Sequence, residues 1–237
     1  MRVKLLLALL VLVVGAPSAL ASSQQNVTFK TEDGLSIAGT LYLPNRPGPA
    51  VIMLHMLTRS REDWQALGSK LADAGMVALA IDLRGHGASD HAPAGASGQE
   101  MGAMQLDVKA ARAFLRGRPE VSAGKVGLAG ASIGANLALL AAAGDPSVRT
   151  LALLSTGLDY RGLRTEAALG RYGTRPVLLV ASQEDNYAMI SMRRLSSQGS
   201  GTREQLTLNG AGHGTVMLSR QPEVVGTLVD WFRRTLL

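Results

Sequence analysis

A serine framed by small residues, Gly130-Ala131-Ser132-Ile133-Gly134, constrains this chain more than any other segment because of what lies on either side of it. The run Lys125–Ala129 before it reads as a short buried strand, and Ala135–Ala143 after it reads as a helix. A strand that turns this sharply into a helix brings backbone against backbone, which leaves room only for small residues at the flanking positions. Gly130, Ala131 and Gly134 meet that demand. A serine at the centre of so tight a turn is lifted clear of the sheet, the arrangement of a nucleophile elbow. In a chain with 27 glycines the pattern alone also fits a turn without chemistry, so partners elsewhere in the sequence must decide.

The rest of the chain repeats the same alternation. Apolar runs that read as strands occupy Ala50–Leu54, Val77–Ile81, Val126–Ala129, Leu151–Leu154, Val177–Val180 and Gln205–Leu208. Helical patterns over Glu62–Ala74, Ala103–Arg116, Ile133–Ala143, Tyr187–Leu195 and Val224–Leu237 lie between and after them. Val27–Lys30 and Leu35–Leu43, joined through Asp33-Gly34, predict an opening antiparallel hairpin. Ser60-x-x-Asp63 has the form of a capping box for the first helix. Strands alternating with helices predict an α/β fold, a mostly parallel central sheet with helices on both faces. The stretch between Leu154 and Val177 is too short for a large cap domain, and Ala88–Met101 reads as an exposed loop beside the site.

The amino-terminal residues stand apart from this pattern. Arg2 and Lys4 precede the apolar run Leu5–Val14, Gly15-Ala16-Pro17 breaks it, and Ala19-Leu20-Ala21 offers a cleavage site. That run is far short of the ~20 residues that span a bilayer. Residues 1–21 therefore read as a secretory signal peptide, with an uncleaved anchor as the alternative. Residues 22–237 read as a single domain without a stable membrane span, exported to a periplasm or to the extracellular space. The net charge of +6 is scattered, and aromatic residues make up 4% of the chain. This offers neither the basic stripe nor the stacking surface of a nucleic-acid binder. The absence of cysteine excludes disulfides, a thiol nucleophile and thiolate metal sites.

A serine hydroxyl is a poor nucleophile until a base takes its proton and a third group holds that base in the right tautomer. Asp185, just beyond the predicted strand at Val177, and His213, in the glycine-rich loop Gly210–Gly214 after the last predicted strand, are placed to complete such a set. Loops that follow parallel strands open on one edge of the sheet, where ligands bind. Glu184 is the alternative acid, but the shorter side chain of Asp185 suits a rigid orienting bond better. His55 follows an apolar strand directly and reads as a structural imidazole, while His86 and His91 are the remaining histidines.

At these residues the chain resembles the α/β-hydrolase superfamily, most closely its small dienelactone-hydrolase-like and esterase-like members. The resemblance covers nearly all of Val27–Leu237, and Asp82-Leu83-Arg84-Gly85-His86-Gly87-Ala88-Ser89 looks like that family's loop shaping the sheet edge. True dienelactone hydrolases use a cysteine nucleophile, so that particular activity does not carry over. The family usually shows His-Gly after the third strand, whereas His55-Met56-Leu57 stands here. By position Leu57, with Met56 as its substitute, supplies one oxyanion-hole N–H, and Ile133, directly after the serine, supplies the other. Residues and resemblance together imply a serine esterase acting on a small-molecule ester, with no organic cofactor and no metal, and the short Leu154–Val177 stretch and the bulk at Met56 point to short acyl chains. A serine peptidase or amidase of the same fold, or a noncatalytic binding protein built on it, are the alternatives.

Overall fold

The predicted alternation is realised as one eight-stranded sheet with helices on both faces. The computed structural model describes residues 22–91 and 99–237. The predicted leader, residues 1–21, and residues 92–98 of the predicted loop lie outside the described residues. The strands are Ser23–Lys30 (β1), Ser36–Leu43 (β2), Gly48–Leu54 (β3), Val77–Ile81 (β4), Val121–Ala131 (β5), Val148–Leu154 (β6), Asp159–Tyr160 (β7), Leu163–Arg164 (β8), Val177–Ser182 (β9) and Arg203–Leu208 (β10). The helices are Gln65–Asp73 (α1), Gln99–Arg116 (α2), Ile133–Gly144 (α3), Thr165–Tyr172 (α4), Asn186–Ser196 (α5), Val216–Arg220 (α6) and Glu223–Leu236 (α7). Gln99–Met101, expected to be loop, instead opens α2.

The sheet runs β1-β2-β4-β3-β5-β6-β9-β10; β2 runs antiparallel to both its neighbours, and every other pair is parallel. From β3 the chain passes through α1 to β4 on one side, then crosses back to β5 and onward to β6 on the other. Strand order therefore reverses between β3 and β5. The loops leaving their carboxyl ends diverge, which opens the crevice where sheets of this kind bind ligands. Those two loops carry His55-Met56-Leu57 and Ser132.

Period-two alternation divides the core between the two faces. Ala50, Ile52 and Leu54 of β3 join Leu79, Leu128, Leu137 and Leu169 under α2, α3 and α4. Val51 and Met53 join Trp64, Leu67, Trp231 and Phe232 under α1 and α7. In α7 the buried set Val224, Val225, Leu228, Trp231, Phe232 and Leu236 recurs at helical spacing, so one stripe faces the sheet. Trp231 is fully buried, and truncating it to alanine would remove about 3–5 kcal/mol of stability.

One local expectation is corrected, and two segments gain detail. The first helical segment begins as a 3-10 turn, Arg61–Trp64, and the capping box does not close. Ser60 Oγ accepts from the Glu62 N–H, while the Asp63 carboxylate turns to Arg59 and to the Thr215 hydroxyl. These ionic and hydroxyl partners outcompete a bond back to the cap. Residues 155–176, expected only to be short, form the β7–β8 ribbon and α4. The buried Asn136 of α3 holds this segment, donating to Leu163 O at 2.9 Å and accepting from the Gly157 N–H at 3.0 Å. Helix α6 follows the His213 loop and had no periodic signal in its five residues. Asp82, Arg84 and Ser89 do brace the sheet edge as the resemblance implies. Ser89 bridges Asp82 O and the Ala38 N–H, and Arg84 lies between Asp107 and Asp33.

Candidate active site

Steric exclusion shapes the turn at Ser132. The residue closes β5 and caps α3 with φ 54° and ψ −118°, a left-handed backbone that a non-glycine residue adopts only under strain. A Cβ on Gly130 would collide with the carbonyl oxygen of Gly134, and one on Gly134 would collide with that of Leu54. No larger residue fits either position without moving backbone. The Ser132 N–H donates to Leu154 O at 2.8 Å, which ties the turn to the end of β6. Its hydroxyl makes no capping bond to α3. Among the described residues the Ile133 N–H, in the first turn of that helix, donates to no acceptor. It adds to the positive end of the helix dipole.

Asp185 and His213 meet directly. Asp185 caps the amino end of α5, where Oδ1 accepts from the Ala188 N–H at 3.4 Å, and its other oxygen, Oδ2, lies 2.6 Å from His213 Nδ1. An ionised carboxylate only accepts, so His213 Nδ1 carries the proton and Nε2 of the neutral ring is left with a lone pair. The Asp185 side chain is 14% exposed and the His213 side chain 48%, so the acid is shielded while the imidazole faces solvent. Glu184, the alternative acid, turns away to Ser182 and to the N–H groups of Gly210 and Gly212.

The loop after β3 places Leu57 and Met56 on opposite sides of the sheet edge. His55 is fully buried, donates from Nδ1 to Met56 O at 2.7 Å and accepts at Nε2 from the Leu83 N–H at 3.0 Å. Both ring nitrogens are thus satisfied in the neutral form, and burial pushes the imidazole down to about 4. It is the structural histidine that the sequence suggests. With Met56 O held on the ring, the N–H of the same trans peptide, that of Leu57, points the other way and has no acceptor among the described residues. Leu57 packs on the α2–α3 side of the core, and Met56 on the α1–α7 side. The Met56 sulfur lies 2.5 Å from where a Cβ on Gly214 would stand, so this side chain fills space beside the His213 loop.

Ser132 and the His213 loop are neighbours. Ala131 Cβ is 3.6 Å from the same Gly214 position, and the Gly214 N–H donates to Ser155 Oγ at 2.9 Å, one residue beyond the carbonyl that holds Ser132. No hydrogen bond joins Ser132 Oγ to His213 Nε2; pairs of this kind are often long until a substrate occupies the site. Ser155 and Ser182 were not singled out from the sequence, although both sit at the carboxyl ends of parallel strands, where loop-holding side chains are to be sought. Among the described residues no group of three or more His, Asp or Glu side chains could hold a metal ion, and no helix is long and apolar enough to cross a membrane.

The family model described as serine aminopeptidase, S33 (Hydrolase_4) matches residues 45–194. The chain belongs to this family of α/β hydrolases. It is 35% identical over 128 residues to the thiohydrolase apmlB of Arthrinium phaeospermum, a match covering 53% of this chain and 40% of that one. The chain therefore aligns with less than half of that relative's length. Among solved structures it resembles a dienelactone hydrolase from Anabaena variabilis, with TM-score 0.75 and 21% identity, covering 92% of this chain and 100% of that one. It also resembles an acetyl xylan esterase from Paenibacillus sp. R4, with TM-score 0.76 and 18% identity, covering 94% of this chain and 87% of that one. At these identities the structural matches speak for the fold.

Proposed function

We propose that this hydrolase is an exported serine esterase. Ser132 attacks the acyl carbon, His213 takes the serine proton and returns it to the leaving alcohol, and Asp185 holds His213 in the required tautomer. The N–H groups of Ile133 and Leu57 stabilise the oxyanion as it forms, and water then releases the acyl-enzyme. The observation that carries the reading is the 2.6 Å bond from His213 to Asp185, on a loop that abuts the strained Ser132 turn. Both candidate oxyanion donors lack an acceptor of their own among the described residues. The side chains at Leu57 and Met56, and the absence of a large cap over the strand ends among the described residues, favour short acyl groups in an open site.

A fluorophosphonate probe should label the purified protein at Ser132, as read by mass mapping, and the protein should hydrolyse p-nitrophenyl acetate or butyrate. Ser132→Ala should lose labelling and turnover, the latter by ~10⁶, the scale seen in the best-studied serine hydrolase. Retained turnover in that variant would end the proposal. The family description favours amide bonds as a second reading, and faster cleavage of an aminoacyl arylamide than of the matched ester would select it. Export is checked by sequencing the amino terminus of protein recovered outside the cytoplasm, with Ser22 expected.

A further inference from the structure

The two adjacent carboxylates, Glu184 and Asp185, grip the same loop at different points. Four of the N–H groups in Gly210–Gly214 donate to side-chain oxygens. Gly210 reaches Glu184 Oε2 at 3.1 Å, Ala211 reaches Ser182 Oγ at 3.0 Å, Gly212 reaches Glu184 Oε1 at 2.7 Å and Gly214 reaches Ser155 Oγ at 2.9 Å. The Ser182 hydroxyl in turn donates to Glu184 Oε2 at 2.7 Å, so three donors converge on one carboxylate. Gly210 and Gly212 have φ of 68° and 81°, with Ala211 between them outside that region. Alternation of this kind turns successive N–H groups toward a common point and makes a concavity that favours an anion. The Glu184 carboxylate is that anion.

We propose that Glu184 is a positioning residue for His213: it fixes the backbone that carries the imidazole, while Asp185 fixes the ring, and Ser182 and Ser155 complete the brace. This rests on His213 being the base of the proposed reaction. The Ser182 hydroxyl, with the Gly212 N–H, holds the Glu184 carboxyl down at about 2. The brace therefore stays charged across the whole range in which an imidazole titrates. A glutamine at 184 keeps one accepting oxygen but turns an NH₂ toward N–H or O–H donors, so it can satisfy only part of the cluster.

The test compares Glu184→Gln, Glu184→Ala and Ser155→Ala with the wild type, and uses Ser132→Ala and Asp185→Asn as controls. Turnover is normalised to sites titrated by a fluorophosphonate, or to protein concentration for Ser132→Ala, and amide hydrogen exchange is followed across Gly210–Gly214. Glu184→Ala should lower kcat on the order of 10²-fold with KM unchanged, the scale of a misplaced catalytic group. Glu184→Gln should fall between it and the wild type, and exchange should accelerate in the loop alone. If Glu184→Ala does not fold, Glu184→Gln and Ser155→Ala decide on the same readouts. Wild-type kcat and loop protection in the Glu184 variants, while Asp185→Asn is impaired, would overturn the inference and leave the esterase reading standing. A fall in kcat accompanied by loss of protection throughout the molecule would overturn it as well, by reducing Glu184 to a general stabiliser. Turnover retained by Ser132→Ala would instead remove the reaction, and loop exchange would still report whether Glu184 holds the turn.

Discussion

The Ser132 turn and the His213 loop are both five residues long and glycine-framed, yet they are held by opposite means. At Gly130–Gly134 the glycines are required by close approach, because backbone atoms of α3 and β3 occupy the space a Cβ would need. At Gly210–Gly214 the glycines supply positive φ, and a Cβ on Gly210 would meet nothing within 4 Å; the one close approach under 3 Å, at Gly214, is to the flexible Met56 side chain and not to backbone. One segment is fixed by exclusion of atoms and the other by hydrogen bonds from Glu184, Ser182 and Ser155. Contact repulsion acts over tenths of an ångström and tolerates no change. Hydrogen bonds at a partly exposed loop contribute about 0.5–1.5 kcal/mol each and can be exchanged for water.

The largest effect that can sharpen this contrast is at the acid. Asp185→Asn should leave the loop in place through Glu184 and lower turnover by about 10⁴, the scale seen when the orienting acid is neutralised. Steady-state kinetics on a short-acyl ester, with the fold checked by circular dichroism, measures it. Near-normal turnover would show that holding the backbone is enough.

Glycine replacement then separates the two segments by stability. Gly134→Ala puts a methyl against the Leu54 and His55 carbonyl oxygens and should destabilise by about 3 kcal/mol or more. Gly210→Ala meets open space and carries only the left-handed backbone penalty of about 1–2 kcal/mol. Urea unfolding of both variants orders the two costs, and equal losses would erase the distinction.

The smallest effect is a difference in acid response. An ordinary imidazole takes up a proton near 6.5, but His55 in the folded protein does so only near 4, because burial opposes the charge. Between those values the unfolded chain binds more protons, so stability falls as pH drops from about 6.5 toward 4. Protonation also removes the lone pair that accepts the Leu83 N–H, loosening the loop that carries Met56 and Leu57. Glu184 shifts the same way for a different reason, hydrogen bonds that favour its charge, and in a more acid window: its contribution is present above the ordinary value of 4.5 and fades only as pH falls toward 2. Denaturant midpoints from pH 7 to 4.5 should therefore decline more steeply in the wild type than in His55→Gln. Parallel declines would assign the acid response elsewhere.

Period-two apolar runs, helical spacing and glycine placement determined the α/β fold, the element order and the positions of Ser132, Asp185 and His213, because local sterics and burial are written residue by residue. The structure lengthened most strands: β5 extends from Val121 to Ala131, where only Val126–Ala129 carried the apolar signal. The choice between Glu184 and Asp185 was legible only as a preference from side-chain length, since both follow the same strand. Tertiary structure decided it by placing the carboxyl end of β10 beside that of β9, so that one acid faced an imidazole and the other a row of N–H groups. The same applies to Ser155, Ser182 and Asn136, ordinary polar residues in sequence whose partners lie between 21 and 59 positions away. Hydrogen bonds at that separation depend on which strands become neighbours, and that is set by the packing of the whole sheet.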